Sequence, residues 1–173
     1  MSNSRLGNFV LVGNVGSGKS TLLKALLGLD NAVTKTQSLV FHHNNIIDSP
    51  GEFLNNRVLY GALLSTISQV DIIVYLQAAD SGQLHMPNDL LRLYTGKRVI
   101  GVVSKTDVPG ANVEAAEAAL TEEGISGPYF KVSISDQESV QRLGDHLQCI
   151  TREPVKAGAP LTQVTDQDCG RQI

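Results

Sequence analysis

The sequence predicts an α/β fold, a doubly wound and mostly parallel sheet of six strands with helices on both faces. Three observations lead there. Continuously apolar runs such as Phe9-Val10-Leu11-Val12 and Ile72-Ile73-Val74-Tyr75-Leu76 have the pattern of strands covered on both sides. They alternate with stretches whose apolar residues recur at three and four, the helical period. Between the first strand and the first helix stands Gly13-Asn14-Val15-Gly16-Ser17-Gly18-Lys19-Ser20, which fits G-x-x-x-x-G-K-[ST] in the strand-to-helix setting that this phosphate-binding pattern needs.

A bend this tight needs glycines. Gly13, Gly16 and Gly18 are expected to take positive φ and let backbone N–H groups close around a phosphate. The helix beginning near Lys19 turns its positive end to the same anion. Lys19 places a point charge between the β- and γ-phosphates, the Ser20 hydroxyl is a hard oxygen ligand for Mg²⁺, and Thr21 completes the nucleotide-binding first turn.

The first strand covers residues 8–12, and the helix after the glycine loop runs to Leu27, where Gly28 stops it. Residues 29–37 show no periodicity and form a loop carrying Thr34, Lys35 and Thr36, placed to meet whatever the glycine loop holds. Residues 38–42 and 45–48 read as two short strands joined by a turn at His43-Asn44, a hairpin on the sheet edge. Residues 53–70 form a long helix with Leu59, Leu63 and Ile67 at steps of four beside Tyr60 and Leu64, and with Gly61 inside it. A buried strand over 71–77, a polar loop over 78–85 and a short helix over 87–94, opened by Pro87, come next. The strand 98–103 ends in Ser104-Lys105-Thr106-Asp107, and Pro109-Gly110 turns the chain into an alanine-rich helix over 112–123, stopped by Gly124. The last strand is 129–132. Ser135-Asp136-Gln137-Glu138 has capping-box spacing ahead of a helix with Val140, Leu143, Leu147 and Ile150. Periodicity ends beyond Thr151, so the sequence divides into a folded domain over 1–153 and a flexible tail over 154–173.

With 173 residues, 42% of them apolar and 18% charged, the chain suits one domain with its own core. A formal charge of -3 without a basic block argues against a nucleic-acid partner. No apolar stretch reaches the ~18 residues of a membrane span. Residues 1–7 lack the apolar core of a signal peptide, so the expected compartment is cytoplasmic. Cys149 and Cys169 have no metal-ligand spacing and are expected unpaired, one as a buried helix residue and one as a tail thiol. His42, His43, His85 and His146 also lack ligand spacing and are expected at the surface or at strand ends.

Two further elements stand on the edge where the glycine loop lies. Asp48 ends the third strand before Ser49-Pro50-Gly51, which offers a carboxylate to Mg²⁺ through water and the Gly51 N–H to a γ-phosphate. Ser104-Lys105-Thr106-Asp107 ends the fifth strand on the same side. The Asp107 carboxylate can accept guanine N1–H and N2–H₂ together, while the Lys105 stem lies over the loop and the base.

In this order the glycine loop, Asp-Ser-Pro-Gly and Ser-Lys-Thr-Asp make the chain resemble the small GTP-binding proteins, with a Ras-like P-loop NTPase fold. Lys35-Thr36-Gln37, the run from Ile47 to Phe53 and Ser104-Lys105-Thr106-Asp107 look most like the EutP/PduV family. Those are small GTPase-like proteins of the ethanolamine- and propanediol-utilisation operons of bacterial microcompartments. The resemblance implies GTP or GDP as the nucleotide, with ATP the open alternative, and Mg²⁺ held by Ser20, Asp48 and Thr36, with Thr34 the other choice for the switch threonine. It implies Lys19, Thr36, Gly51 and Glu52 as the catalytic group, and a base site of Ser104, Lys105, Asp107 and, from Val132-Ser133-Ile134-Ser135, Ser133.

Four departures from the pattern stand out. Ser104 stands where the base motif usually begins with Asn or Thr, which weakens the contact bracing the loop, and Val132-Ser133-Ile134-Ser135 differs from Ser-Ala-Lys. Glu52 stands where many GTPases carry a water-orienting Gln and brings negative charge near the γ-phosphate, so intrinsic hydrolysis is expected to be slow. Residues 29–37 hold no arginine, which leaves an arginine finger to a partner. The leading reading is a GTP switch on or beside a microcompartment, with a shell protein or an enzyme as its partner. The others are an acetate kinase-type phosphotransferase, and an interaction module with a vestigial site, against which intact Lys19, Ser20 and Asp48 speak.

Overall fold

The computed structural model of the chain describes residues 8–28, 40–42, 46–48, 61, 64–65, 67–81, 96–151 and 162–163, of which 40–42, 46–48 and 162–163 are described as backbone. The loop 29–37, the turn 49–52, most of the expected helix 53–70 and the expected helix 87–94 lie outside these residues.

Strand β1 (Phe9–Gly13) is apolar at four consecutive positions because it is buried on both faces. It pairs in parallel with β3 (Ile46–Asp48) on one side, Leu11 standing opposite Asp48, and with β4 (Ile72–Ala78) on the other. An antiparallel β2 (Val40–His42) lies outside β3. Beyond β4 come β5 (Arg98–Ser104) and then β6 (Phe130–Val132), both parallel, for an order β2-β3-β1-β4-β5-β6. The order turns at β1, so the crevice beyond its carboxyl end is where a ligand is expected in such a sheet.

The count of six strands needs one correction. A seventh, β7 (Thr162–Gln163), pairs in parallel with Arg98 and Val99. Since β4 runs along the whole of one edge of β5, and β6 covers the other edge only from Val102 to Ser104, the start of β5 would otherwise leave backbone groups without ladder partners. These two residues are the described part of the stretch expected as a flexible tail.

Alternation along the strands divides the core into two layers. Phe9, Leu11, Ile72, Val74, Leu76, Ile100 and Val102 face α1 (Lys19–Leu27) and α3 (Gln137–Thr151), from which Leu22, Leu23, Leu143, Leu147 and Ile150 pack against them. Val10, Val12, Ile73, Tyr75 and Val103 face Ile67 and Val70 and, on α2 (Val113–Glu122), Ala116 and Leu120. Residues 61, 64, 65, 67 and 68 are helical, as the four-residue spacing predicts. Each fully buried aliphatic side chain contributes about 1.5–3 kcal/mol, so the layers hold the strand ends, and the loops on them, in fixed register.

Helix starts follow local chemistry. The Asn112 side chain accepts the Ala115 N–H at 2.9 Å and caps α2. The cap of α3 falls one residue later than the capping-box spacing predicts: Asp136 Oδ1 accepts the N–H groups of Glu138 at 3.1 Å and Ser139 at 3.3 Å. His146 is buried against the Phe130 ring, 4.8 Å between centroids, because it shares the apolar face of α3 with Leu143 and Leu147; the surface position expected for it is wrong. Cys149 is half-buried in α3, where a buried residue was expected.

Candidate functional site

The glycine loop leaves β1 with its glycines in two different roles. Gly13 is still strand, opposite Leu76, and a Cβ there would stand 2.4 Å from the Leu76 carbonyl oxygen and 2.9 Å from Ser17 Oγ. Close approach, not positive φ, is what excludes a side chain at Gly13. Gly16 at φ 78° and Gly18 at φ 91° do take the left-handed conformation expected of them. The Ser17 N–H returns to the Asn14 carbonyl at 3.2 Å and closes the loop on itself.

Gly18 is also the N-cap of α1, and among the described residues no side chain caps that end. First-turn N–H groups of an uncapped helix present a partial positive charge to an anion. Lys19 begins the helix and is 6% exposed. Its Nζ donates to the carbonyls of Gly13 at 2.9 Å and Asn14 at 2.7 Å and lies 3.5 Å from Ser17 Oγ. The ammonium is thus held over the mouth of the loop. Ser20 and Thr21 follow it, half-buried, in the first turn. Val15 is exposed on the outer side of the loop.

The second wall is built by the ends of β5 and β6. Buried Ser104, the last residue of β5, donates from Oγ to the Ser17 carbonyl at 2.7 Å. The brace expected to be weakened by serine is therefore a short, buried bond that joins the base motif to the glycine loop. Lys105 follows in the left-handed region, φ 57°, and its Nζ meets Asp80 Oδ2 at 2.8 Å. Asp80 lies just past β4 in a stretch whose composition reads only as a polar loop, so sequence alone passes over it.

Register places Ser104 opposite Val132, which sets the turn after β6 beside the turn after β5. The exposed Asp107 carboxylate accepts side-chain hydrogen bonds from Ser133 and Ser135, and these, with a backbone hydrogen bond, hold it below the usual carboxylate range. Ser133 is where the base site was expected to take a residue; Ser135 was not assigned a contact.

Asp48 ends β3 in register with Leu11, two residues before Gly13, so its backbone stands at the same end of the sheet. Thr36, with Thr34, and Gly51 and Glu52 lie outside the described residues. Among the described residues no helix is long and apolar enough to cross a membrane.

Comparison with known proteins agrees with this geometry. A family model for ethanolamine utilisation and propanediol utilisation, PduV-EutP, matches residues 6–149. The chain is 40% identical over 142 residues to "Probable acetate kinase EutP" of Escherichia coli K12, covering 82% of this chain and 89% of that one. It is 30% identical over 131 residues to "Propanediol utilization protein PduV" of Citrobacter freundii, covering 73% of this chain and 84% of that one. Among solved structures it superposes on "a probable GTP-binding protein engB" with a TM-score of 0.60 and 21% identity, over 86% of this chain and 100% of the other, a likeness of fold. The fold is that of a P-loop NTPase with a parallel sheet and flanking helices, and the chain belongs to the PduV-EutP family.

Proposed function

We propose that the protein binds GTP and GDP with Mg²⁺, hydrolyses GTP slowly, and works in ethanolamine or propanediol utilisation on or beside a bacterial microcompartment. The observation that carries the guanine reading is the exposed Asp107 carboxylate just past the end of β5, on a loop that Ser104 Oγ ties to the Ser17 carbonyl of the glycine loop at 2.7 Å. An ionised carboxylate accepts guanine N1–H and N2–H₂ together, whereas adenine offers no such pair of donors on that edge.

Phosphates suit the start of α1, where first-turn N–H groups follow Gly18. Lys19 gives up the Gly13 and Asn14 carbonyls to reach β- and γ-phosphate oxygens, exchanging neutral acceptors for charged ones. Ser20 supplies a hydroxyl oxygen and Asp48 a carboxylate, the hard donor set that suits Mg²⁺, with Thr36 completing it. Held by these residues, Mg²⁺ would supply positive charge to offset that of the phosphates. By its place in the sequence Gly51 would offer a backbone N–H to the γ-phosphate, and Glu52, where many GTPases carry a water-orienting Gln, would keep hydrolysis slow.

A second reading, phosphoryl transfer between ATP and acetate, is favoured by the names of the relatives matched at 40% identity. An acetate oxygen would attack the γ-phosphorus and ADP would leave, a reaction that the same loop and lysine can support. The test is turnover with Mg²⁺ of GTP, of ATP, and of ATP with acetate. Slow release of phosphate from GTP alone supports the first reading. Acetate-dependent formation of acetyl phosphate from ATP, without GTP turnover, supports the second and removes the first.

A further inference from the structure

The sheet ends in two outer strands, β2 and β6, and they differ in how other strands are kept away. A bare edge presents a row of backbone N–H and C=O groups to any extended chain, so native sheets guard edges with charge, proline or a covering segment. At one end β6 carries Lys131, exposed at the middle of the strand and paired with Glu117 Oε1 at 3.0 Å. The start of β5, which β6 leaves open, is covered by β7. At the other end β2 lies antiparallel to β3, and among the described residues no strand stands on its outer side. Residues 38–42 read Ser-Leu-Val-Phe-His and hold no lysine, arginine, carboxylate or proline. Val40 and Phe41 are residue types that favour a strand, so this edge is built to pair and carries none of those guards.

We propose that β2 is the edge through which two copies of this chain associate, β2 of one copy pairing antiparallel with β2 of the other. Two identical strands in antiparallel pairing are related by a two-fold axis, so each offers the other the same row of donors and acceptors, and the association closes at two. Charge favours a second copy here over the opposite edge. A two-fold pairing of β6 would bring the lysines at position 131 together, whereas residues 38–42 bring no lysine, arginine or carboxylate to the axis. Because β3 is already antiparallel to β2, the added strand continues the same ladder, and the two sheets become one. Val40 stands opposite Asp48, and Asp48 opposite Leu11, so the interface runs along the hairpin that borders the glycine loop.

The experiment uses the full-length protein at about pH 8, where His42 is neutral, and measures mass by sedimentation over a dilution series. Hydrogen exchange is read on the most dilute and the most concentrated samples. Wild type should pass from one chain to two as concentration rises, and the amides of residues 40–42 should exchange about threefold or more slowly in the concentrated sample. Val40→Lys and Phe41→Lys should each weaken the association by roughly three- to tenfold, because each sets like charges near the axis. Adjacent positions of a strand alternate between its two faces, so if one variant does not fold the other still reports. Mixing Phe41→Lys with Phe41→Glu, or Val40→Lys with Val40→Glu, should restore the association, a result that misfolding does not produce. A wild type that stays one chain at every concentration would overturn the proposal. So would a pair of chains whose association and exchange at 40–42 are unchanged by both lysine variants, since the copies would then meet elsewhere. Neither result touches the nucleotide reading.

Discussion

Ser104 Oγ donates to the Ser17 carbonyl across 2.7 Å, a buried bond between residues 87 positions apart in the chain. It joins the element proposed to read the base to the loop proposed to hold the phosphates, so neither has its shape alone. Ser104→Ala leaves the Ser17 carbonyl without this donor, which costs about 1–3 kcal/mol of stability. The same substitution should weaken GTP and GDP about fivefold to tenfold, since the loop loses its support whichever nucleotide is bound. Melting and calorimetry on the variant check this, and an affinity equal to wild type would show that the loop holds its shape without Ser104.

Lys19 has a second task besides its proposed ligand. With Nζ on the Gly13 and Asn14 carbonyls, it closes the loop from within. Lys19→Ala should therefore lower the melting temperature without nucleotide by a few degrees, about 1–2 kcal/mol. The larger effect is on binding. The stabilisation by GTP and Mg²⁺ seen for wild type should nearly vanish, because removal of the lysine leaves γ-phosphate charge uncompensated. A GTP-induced melting shift equal to that of wild type would refute the loop assignment.

The first strand, the glycine loop and α1 are legible in the sequence because each rests on local chemistry: four apolar residues in a row, glycines at fixed intervals, then a helical period from Lys19 to Leu27. The turn after β6 is not. Ser135 and Asp136 are both good caps, and local sequence has no means to choose between them. The choice falls to Asp136, and the turn after β6 stands beside the turn after β5 only because Ser104 pairs with Val132 across the sheet. The Asp80–Lys105 pair is hidden for the same reason, as it depends on β4 and β5 ending side by side. Two residues with no periodicity, Thr162 and Gln163, become strand only because β6 is too short to cover β5.

Truncation after residue 153 should now cost something. Removing β7 uncovers the backbone of Arg98 and Val99, with an expected loss of about 1–2 kcal/mol. Nucleotide affinity should stay within twofold of wild type, roughly, because β7 sits at the start of β5 and the site lies past its end. Chemical denaturation and calorimetry of the truncated protein separate the two. An unchanged stability would mean that the pairing contributes nothing, and a lost affinity would place the tail in the site.

The guanine reading rests on Asp107 as a double acceptor, and Asp107→Asn turns one acceptor into a donor. That change should cost GTP roughly a hundredfold in affinity, a mismatch of about 2–3 kcal/mol. It should also favour XTP, whose base carries an oxygen where guanine has its amino group. The direct measurement is competition of GTP, ATP and XTP with Mg²⁺ on wild type and Asp107→Asn by calorimetry. The account predicts that wild type prefers GTP over ATP and that the variant prefers XTP. Equal affinity of wild type for ATP and GTP, unaffected by the substitution, would contradict it and put phosphoryl transfer from ATP first.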